Sequence, residues 1–249
     1  MKVALVSDIH SNIEAFHEVL RDIETHHVDE ILCLGDIIGY GPNPRECIAI
    51  ARSFAFNLLG NHEEAVLFLA EDFNQKARQA VDWTRDQLNS TDFPMEENHG
   101  LWNFLGDLRK KVLRGDVLYV HGSPRIPTRE YVMPRDVNNR EKMEDIFRQI
   151  PKTCFVGHTH VPGVFTEDFQ FFHTSMLQNT YKLDGQKVLI NIGSVGQPRD
   201  GDNRASYVTF DGETIEWHRI AYDFEATMEK IRASKGLPEY LADRLREGR

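Results

Sequence analysis

Val3-Ala4-Leu5-Val6-Ser7-Asp8-Ile9-His10 is a strand-sized apolar run that stops at an acid, and Asn12–His26 follows it with apolar residues at Ile13, Phe16, Val19, Leu20 and Ile23. The first pattern is that of a buried strand; the second has the 3.6-residue period of a helix. The alternation then repeats. Ile31–Leu34 reads as a second buried strand ending at Gly35-Asp36. Pro44–Ala51 reads as a short helix with Asn43 as its N-cap, and Phe54–Leu59 as a third strand ending at Gly60-Asn61-His62. Consecutive β-α-β units imply parallel strands buried on both faces.

Further on, Glu63 to about Leu108 is helical and polar, with one apolar stripe through Ala77, Ala80, Val81, Trp83, Thr84 and Leu88. Lys111–Val120 reads as a hairpin turning at Gly115-Asp116 and ends at His121-Gly122. A loop rich in proline and arginine, Ser123–Asn139, precedes a helix near Glu141–Gln149 and a short strand, Thr153–Val156, that ends at Gly157-His158-Thr159-His160. The remainder is β-rich, with strands at Gly163–Thr166, Phe169–His173, Lys187–Ile192, Ser206–Phe210 and Thr214–Ile220, and closes on two amphipathic helices. There is no internal repeat and no linker, so one domain over residues 1–249 is the simplest organisation. The shift from α/β to antiparallel β suggests two sheets packed face to face with helices outside.

The chain has 249 residues, 41% hydrophobic and 27% charged, enough for a sizeable core. Its apolar runs are far shorter than the roughly 20 residues a membrane helix needs, and its first residues lack the pattern of a secretory signal. The expectation is a cytoplasmic protein without a membrane partner. Cys33, Cys47 and Cys154 have no paired spacing, which argues for buried thiols. A formal net charge of −10 disfavours nucleic acid as a partner. It leaves a small phosphorylated substrate open, because bound divalent cations invert the local field of a cleft. It also leaves dimerisation open.

Five segments carry the chemistry: Asp8-Ile9-His10, Gly35-Asp36, Gly60-Asn61-His62-Glu63, His121-Gly122 and Gly157-His158-Thr159-His160. Each follows a short apolar strand, and ligands of α/β sheets collect at the carboxyl ends of strands. Residues i and i+2 of an extended segment point the same way, so Asp8 and His10 could grip one ion, and His158 and His160 two neighbouring ones. Asp36 has two oxygens and could bridge both; Asn61 offers a carbonyl oxygen and His121 a nitrogen. Such N/O ligation suits Mn, Fe, Zn, Co or Ni, with Mn²⁺ favoured for assays. Two such ions clamp the attacking and leaving oxygens of an in-line phosphoryl displacement. The glycines before Asp36, Asn61 and His158 fit strands that turn sharply into a crevice.

In this order, the five segments resemble the motifs of the calcineurin-like metallophosphoesterase superfamily. The resemblance spans Val3 to His160. It implies a four-layer α/β/β/α sandwich with two mixed sheets. It implies one metal held by Asp8, His10, Asp36 and His160, a second held by Asp36, Asn61, His121 and His158, and a phosphate-binding or leaving-group-protonating role for His62. Protein serine/threonine phosphatases carry arginines where this chain has Tyr40 and Leu59. Gly39-Tyr40-Gly41-Pro42, His121-Gly122-Ser123-Pro124 and Gly193-Ser194-Val195-Gly196-Gln197-Pro198-Arg199 are instead similar to the small bacterial and archaeal phosphodiesterases. Some of those are described as dinucleoside polyphosphate hydrolases. The implied function is hydrolysis of a phosphodiester or phosphoanhydride, with a phosphomonoesterase or protein phosphatase as the alternative and a non-enzymatic scaffold as the remaining one.

Other residues admit two roles. His62 could orient a carboxylate instead, and Glu63 suits the start of a helix. Asn12 could cap the first helix or contact phosphate at its N-terminus. Tyr40 could stack on a base or merely pack. Arg125, Arg129, Arg135 and Arg140, and separately Arg199, could hold distal phosphates or lie in solvent. His17, His26, His27, His99, His173 and His218 show no partner pattern and read as structural.

Overall fold

The computed structural model describes residues 1–70 and 73–249. Its first strand, β1 (Val3–Val6), shows how the layers arise. All four residues are buried, but Val3 and Leu5 join one apolar cluster while Ala4 and Val6 join another. That is the two-residue alternation of a strand whose two faces are both covered. On either side of β1 lie β2 (Glu30–Cys33), parallel to it, and β11 (Ala205–Phe210), antiparallel. With β3 (Phe56–Asn57), β12 (Thr214–Ile220) and β9 (Thr180–Lys182) they form a six-stranded mixed sheet in the order β3-β2-β1-β11-β12-β9.

The second sheet runs β4 (Lys111–Arg114), β5 (Val117–Val120), β6 (Thr153–Val156), β10 (Val188–Asn191), β7 (Gly163–Thr166), β8 (Phe171–His173). It too is mixed: β5, β6 and β10 are parallel, and the outer pairings are antiparallel. Leu5, Leu32, Leu34 and Leu58 of the first sheet meet Tyr119, Phe155, Val164 and Ile190 of the second in the cluster between them. On the outer face of the first sheet sit α1 (Ile13–Thr25) and α2 (Pro44–Ala51), joined by α3 (Asn61–Leu67), α4 (Gln75–Leu88) and α5 (Met95–Gly106). On the outer face of the second, Met143, Ile146 and Phe147 of α6 (Arg140–Gln149) cover Val120, Cys154 and Leu189. The fold is therefore the four-layer α/β/β/α sandwich, and α7 (Phe224–Ala233) and α8 (Tyr240–Glu247) pack with Ala80 and Trp83 of α4 at one side. No helix among the described residues is long and apolar enough to cross a membrane, and the three cysteines are buried free thiols.

The strand expected at Phe54–Leu59 forms pairs only at Phe56–Asn57, because Leu58 turns to bridge Arg109. The loop after His121 contains a 3₁₀ turn at Pro134–Asn138. Strand β9, short and mostly exposed, lacks the apolar alternation that marks the others.

Parallel strands β1, β2 and β3 of one sheet and β5 and β6 of the other end in the same crevice. Backbone bonds stitch their extensions together, from Asp8 N–H to Gly35 O at 3.0 Å, His10 N–H to Asp36 O at 2.9 Å, and Gly157 N–H to His121 O at 2.9 Å. The core beneath is aromatic: Phe155 stacks on Tyr119 with ring centroids 5.7 Å apart and tilts on Phe210 at 5.1 Å. Phe155→Ala should cost about 3–5 kcal/mol of stability, as emptied aromatic core sites do. Urea unfolding followed by circular dichroism measures it; a loss below about 1 kcal/mol would mean that the two sheets do not rely on this contact.

Candidate metal centre

Asp8, His10, Asp36, His158 and His160 all have φ between +49° and +64°. Residues other than glycine enter that left-handed region at roughly 1–2 kcal/mol each. Asp8 and His10 do converge, with His10 Nε2 lying 3.8 Å from Asp8 Oδ1. They do so through left-handed turns rather than through the alternation of an extended strand. Gly35, at φ +103°, needs its conformational freedom. Gly60 does not, since its φ is −87°. It supplies space, because a Cβ there would lie 2.1 Å from Asp36 Oδ1. The same applies to Gly157 against Asp8.

The turned segments assemble two neighbouring clusters. In the first, His160 Nε2 lies 3.0 Å from Asp8 Oδ1 and 3.2 Å from His10 Nε2. In the second, His121 Nε2 lies 3.3 Å from Asp36 Oδ2, 3.1 Å from Asn61 Oδ1 and 3.2 Å from His158 Nδ1. Asp36 stands between them: its Oδ2 is also 3.7 Å from His10 Nε2.

Backbone carbonyls fix which nitrogen of each ring faces inward. His10 Nδ1 meets Ile38 O at 3.2 Å, His121 Nδ1 meets Leu34 O at 3.0 Å, His160 Nδ1 meets Gln197 O at 2.5 Å, and His158 Nε2 meets Arg129 O at 3.1 Å. A carbonyl only accepts, so each of these nitrogens carries a proton and the other nitrogen of the ring faces the crevice, where its lone pair serves a cation once any proton there has left. Lone pairs at 3.2 Å repel unless a cation lies between them. Metal–nitrogen bonds of about 2.1 Å place paired donors about 3.0–3.4 Å apart. Asp8 Oδ1, buried, faces the crevice-side nitrogens of His160 and His10. The donor set and its spacing therefore fit divalent transition metals.

The electrostatics agree. Burial pushes the carboxyls of Asp8 and Asp36 up, but the neighbouring histidines, His160 foremost for Asp8 and His121 for Asp36, outweigh it and hold both below the usual carboxylate range. Burial likewise disfavours charge on His121, yet Asp36, then Asp8 and Glu63, carry its pKa up to about 9. The interior of the centre is a place that holds positive charge. Burial lowers His158 to about 3, aided by His121, and His62 to about 4 despite Asp36.

The structure brings Asp8, His10, Asp36, Asn61, His121, His158 and His160 together, with His62 beside them. The His62 ring is wedged against Tyr40 at 4.2 Å and Phe73 at 4.9 Å, and its Nδ1 is buried without a partner. Two candidate phosphate contacts, Asn12 and Arg125, are bonded to other protein groups. Asn12 accepts from Ala15 N–H at 3.1 Å and from Thr227 Oγ1 at 3.0 Å, and donates to Gly196 O at 2.8 Å and Tyr222 OH at 3.3 Å. The cap bond to Ala15 and the three tertiary bonds together fill its bonding capacity. Arg125 is clamped by Glu130 and by Asp145 at 3.1 Å, so its fork is spent on carboxylates. Arg140 is a surface residue paired with Glu144. Arg199 donates to Gln197 Oε1 at 2.8 Å, its Nε is buried without a partner, and its guanidinium lies 5.9 Å from the Tyr40 ring.

The sequence reading passed over Glu63 as a helix-start residue. Its carboxylate, fully buried, accepts from the backbone N–H groups of Asp36 at 2.8 Å, Ile38 at 3.0 Å and Gly60 at 2.9 Å. It thereby ties the Asp36 turn to the Asn61 turn. Burial first, and Asp36 second, push its pKa up to about 7. A glutamate three residues after the helix N-cap, placed to accept the N-cap N–H, is the signal the sequence offers. Tyr131 was also missed; it stacks on His158 with centroids 3.7 Å apart.

Beside the second cluster opens a cavity of about 190 Å³, bounded by Asn61 and His158 at the centre, Tyr40, Arg129 and Tyr131 at the sides, and Ala65, Leu69, Phe73 and Ala77 on an apolar wall.

Glu63→Gln replaces an acceptor with an amide whose N–H₂ must face backbone N–H groups. Affinity for Mn²⁺ should fall about 10–100-fold, the usual effect of losing a group that orients ligands, with the circular dichroism spectrum unchanged. Isothermal titration with Mn²⁺ checks it; wild-type affinity in the variant would remove Glu63 from this role.

Residues 1–214 match the calcineurin-like phosphoesterase superfamily domain, and the chain belongs to that superfamily. It is 37% identical to the uncharacterized protein MJ0912 of Methanocaldococcus jannaschii, the match covering 99% of this chain and 98% of that one. It is similar in structure to a metallophosphoesterase from Sphaerobacter thermophilus, with a TM-score of 0.81 at 36% identity and all of both chains covered. The hypothetical protein PH1004 from Pyrococcus horikoshii shares the fold at 18% identity, with a TM-score of 0.76 over 100% of this chain and 98% of that one. The superfamily's activity is phosphoester hydrolysis, and the buried histidine–aspartate clusters supply candidate ligands for the metal dependence typical of it.

Proposed function

We propose that this chain hydrolyses phosphodiester or phosphoanhydride bonds of small phosphorylated molecules, nucleotides among them, using two divalent transition-metal ions. One ion is assigned to Asp8, His10, Asp36 and His160, the other to Asp36, Asn61, His121 and His158. The observation that carries this reading is the set of four carbonyl-anchored imidazoles whose lone pairs converge in two groups around the shared Asp36. When bound, such a pair supplies charge against the phosphate and acidifies a water.

The chain's own residues do the rest. Asp36 Oδ1 accepts the His62 backbone N–H at 2.9 Å, so the shared acid also sets the position of His62. His62 is the group assigned to phosphate contact or to the leaving oxygen. The buried, unpartnered Nε of Arg199 offers a donor to a phosphate oxygen. The apolar wall of Ala65, Leu69, Phe73 and Ala77 beside Tyr40 and Tyr131 suits an aromatic or base-bearing group on the far side of the scissile bond. A diester or dinucleotide presents such a group; a phosphoprotein side chain does not need it. Residues 1–249 are taken as one domain, since α8 packs on α4. The free thiols suit a cytoplasmic, reducing setting.

In Mn²⁺ buffer, Asp8→Asn and His121→Ala should each lower hydrolysis of a chromogenic phosphodiester by more than about 100-fold, beyond what loss of a supporting contact costs. Arg125→Ala should stay within about threefold of wild type, since surface-paired arginines contribute little. Wild-type turnover by folded Asp8→Asn or His121→Ala would overturn the assignment. Rates of the wild type on mononucleotides, cyclic nucleotides, dinucleoside polyphosphates and phosphopeptides then rank the substrates, and a clear preference for phosphopeptides would contradict the diester reading.

A further inference from the structure

A second group of metal-ligating side chains lies outside the centre, on the outer face of the first sheet. Asp22 and His26 are four residues apart, on the last turn of α1 and at its end, and so share one side of the helix. His218 rises from β12 beneath them. One ligand atom from each lies within 4.8 Å of the others. His26 Nε2 is 3.3 Å from Asp22 Oδ2, and the rings of His26 and His218 have centroids 4.3 Å apart.

The surroundings hold these groups in place. Tyr207 OH donates to Asp22 Oδ2 at 2.6 Å, and the Tyr207 ring stacks on His218 with centroids 4.6 Å apart. Thr209 Oγ1 donates to Glu216 Oε2 at 3.4 Å and lies 2.9 Å from His218 Nε2. Thr209 thus engages one ring nitrogen of His218. Burial, and after it His26, lowers the His218 pKa to about 4, with Asp22 and Glu216 opposing and Lys2 adding to the effect. His218 is thus a neutral imidazole with a threonine hydroxyl at its Nε2, the protonation state in which histidine ligates metals. Asp22 and His26 are 32% and 27% exposed, so an ion could enter and keep a water.

We propose that Asp22, His26 and His218 bind one Zn²⁺, or a divalent ion of like preference, and that this ion ties the end of α1 to strand β12. Two imidazoles and a carboxylate with one open position are a donor set suited to zinc. No local pattern marks His26 and His218 as partners, because one ends α1 and the other lies on a strand nearly two hundred positions later. The site is independent of the hydrolytic reading, since none of its residues belongs to the centre.

The test compares wild type with His26→Ala and Asp22→Asn, each loaded with Mn²⁺, then given excess Zn²⁺ and passed through a desalting column. Metal per chain is measured by emission spectrometry. Wild type should retain one metal equivalent more than either variant, whatever the centre itself holds. Zn²⁺ should raise the thermal midpoint of wild type more than that of the variants. Phosphodiester hydrolysis should be the same in all three, which also shows that the variants fold. Equal metal content in the three proteins, or an equal thermal shift, would overturn the proposal.

Discussion

Two carboxylates, Asp8 and Asp36, lie essentially out of contact with solvent between two sheets, at 0% and 1% exposure. An isolated buried carboxylate costs several kcal/mol even after relaxation. Much of the architecture above the strands answers that cost. Asp8 Oδ2 accepts the His158 backbone N–H at 3.0 Å, and Asp36 Oδ1 accepts that of His62. What those donors leave unanswered, the neighbouring imidazoles supply. The centre is therefore not added to a finished fold. The acids are tolerated only because five strand ends deliver their partners to one place.

Delivering them requires strain, and the strain has visible support. Five of the residues at the centre adopt left-handed backbone, which none of them prefers. Each turn is held by bonds that cross from one strand end to the next, such as Ser11 N–H to Ile37 O at 2.9 Å and Gly196 N–H to Asp8 O at 2.9 Å. Ser194 adds a side-chain bond to Asp8 O at 2.9 Å, and Asn191 donates to Gly157 O at 2.6 Å. The loop after β10 thus clamps the segments that end β1 and β6. This explains why a run with no ligand in it, Gly193 to Gln197, is so fully buried.

The layers were legible because both signals behind them are local. Alternation of apolar residues along Val3–Val6 names a strand covered on both faces, and the spacing of Ile13, Phe16 and Val19 names the helix that covers one of them. The seven ligand candidates were legible because each sits at the end of such a strand. What was not legible depends on contacts far apart in sequence. Nothing near Asn12 announces that Thr227 and Tyr222 will occupy it, and nothing near Arg125 announces Asp145. Strand β9 is three residues long and turns only Tyr181 toward the core among the described residues, too short a run for an alternation to show. Glu63 looked like an ordinary helix-start acid because the backbone groups it serves lie 25 and 27 positions earlier.

The crevice has two sides built in different ways, and this separates chemistry from selection. The ligand side rests on strand ends locked by backbone bonds, so small sequence changes there disturb both acids at once. The cavity side is made of α3, the start of α4 and the loop that carries Arg129 and Tyr131, elements on the outside of the sandwich. Asn61 and His158 belong to both sides, and the Arg129 carbonyl ties the cavity loop to His158. Side chains such as Leu69, Phe73 and Ala77 can change in size without moving a ligand, because their backbone takes no part in the hydrogen bonds that hold the strand ends. Under the proposed function, differences in substrate preference should therefore be sought in that helix-borne apolar wall before the acids and imidazoles.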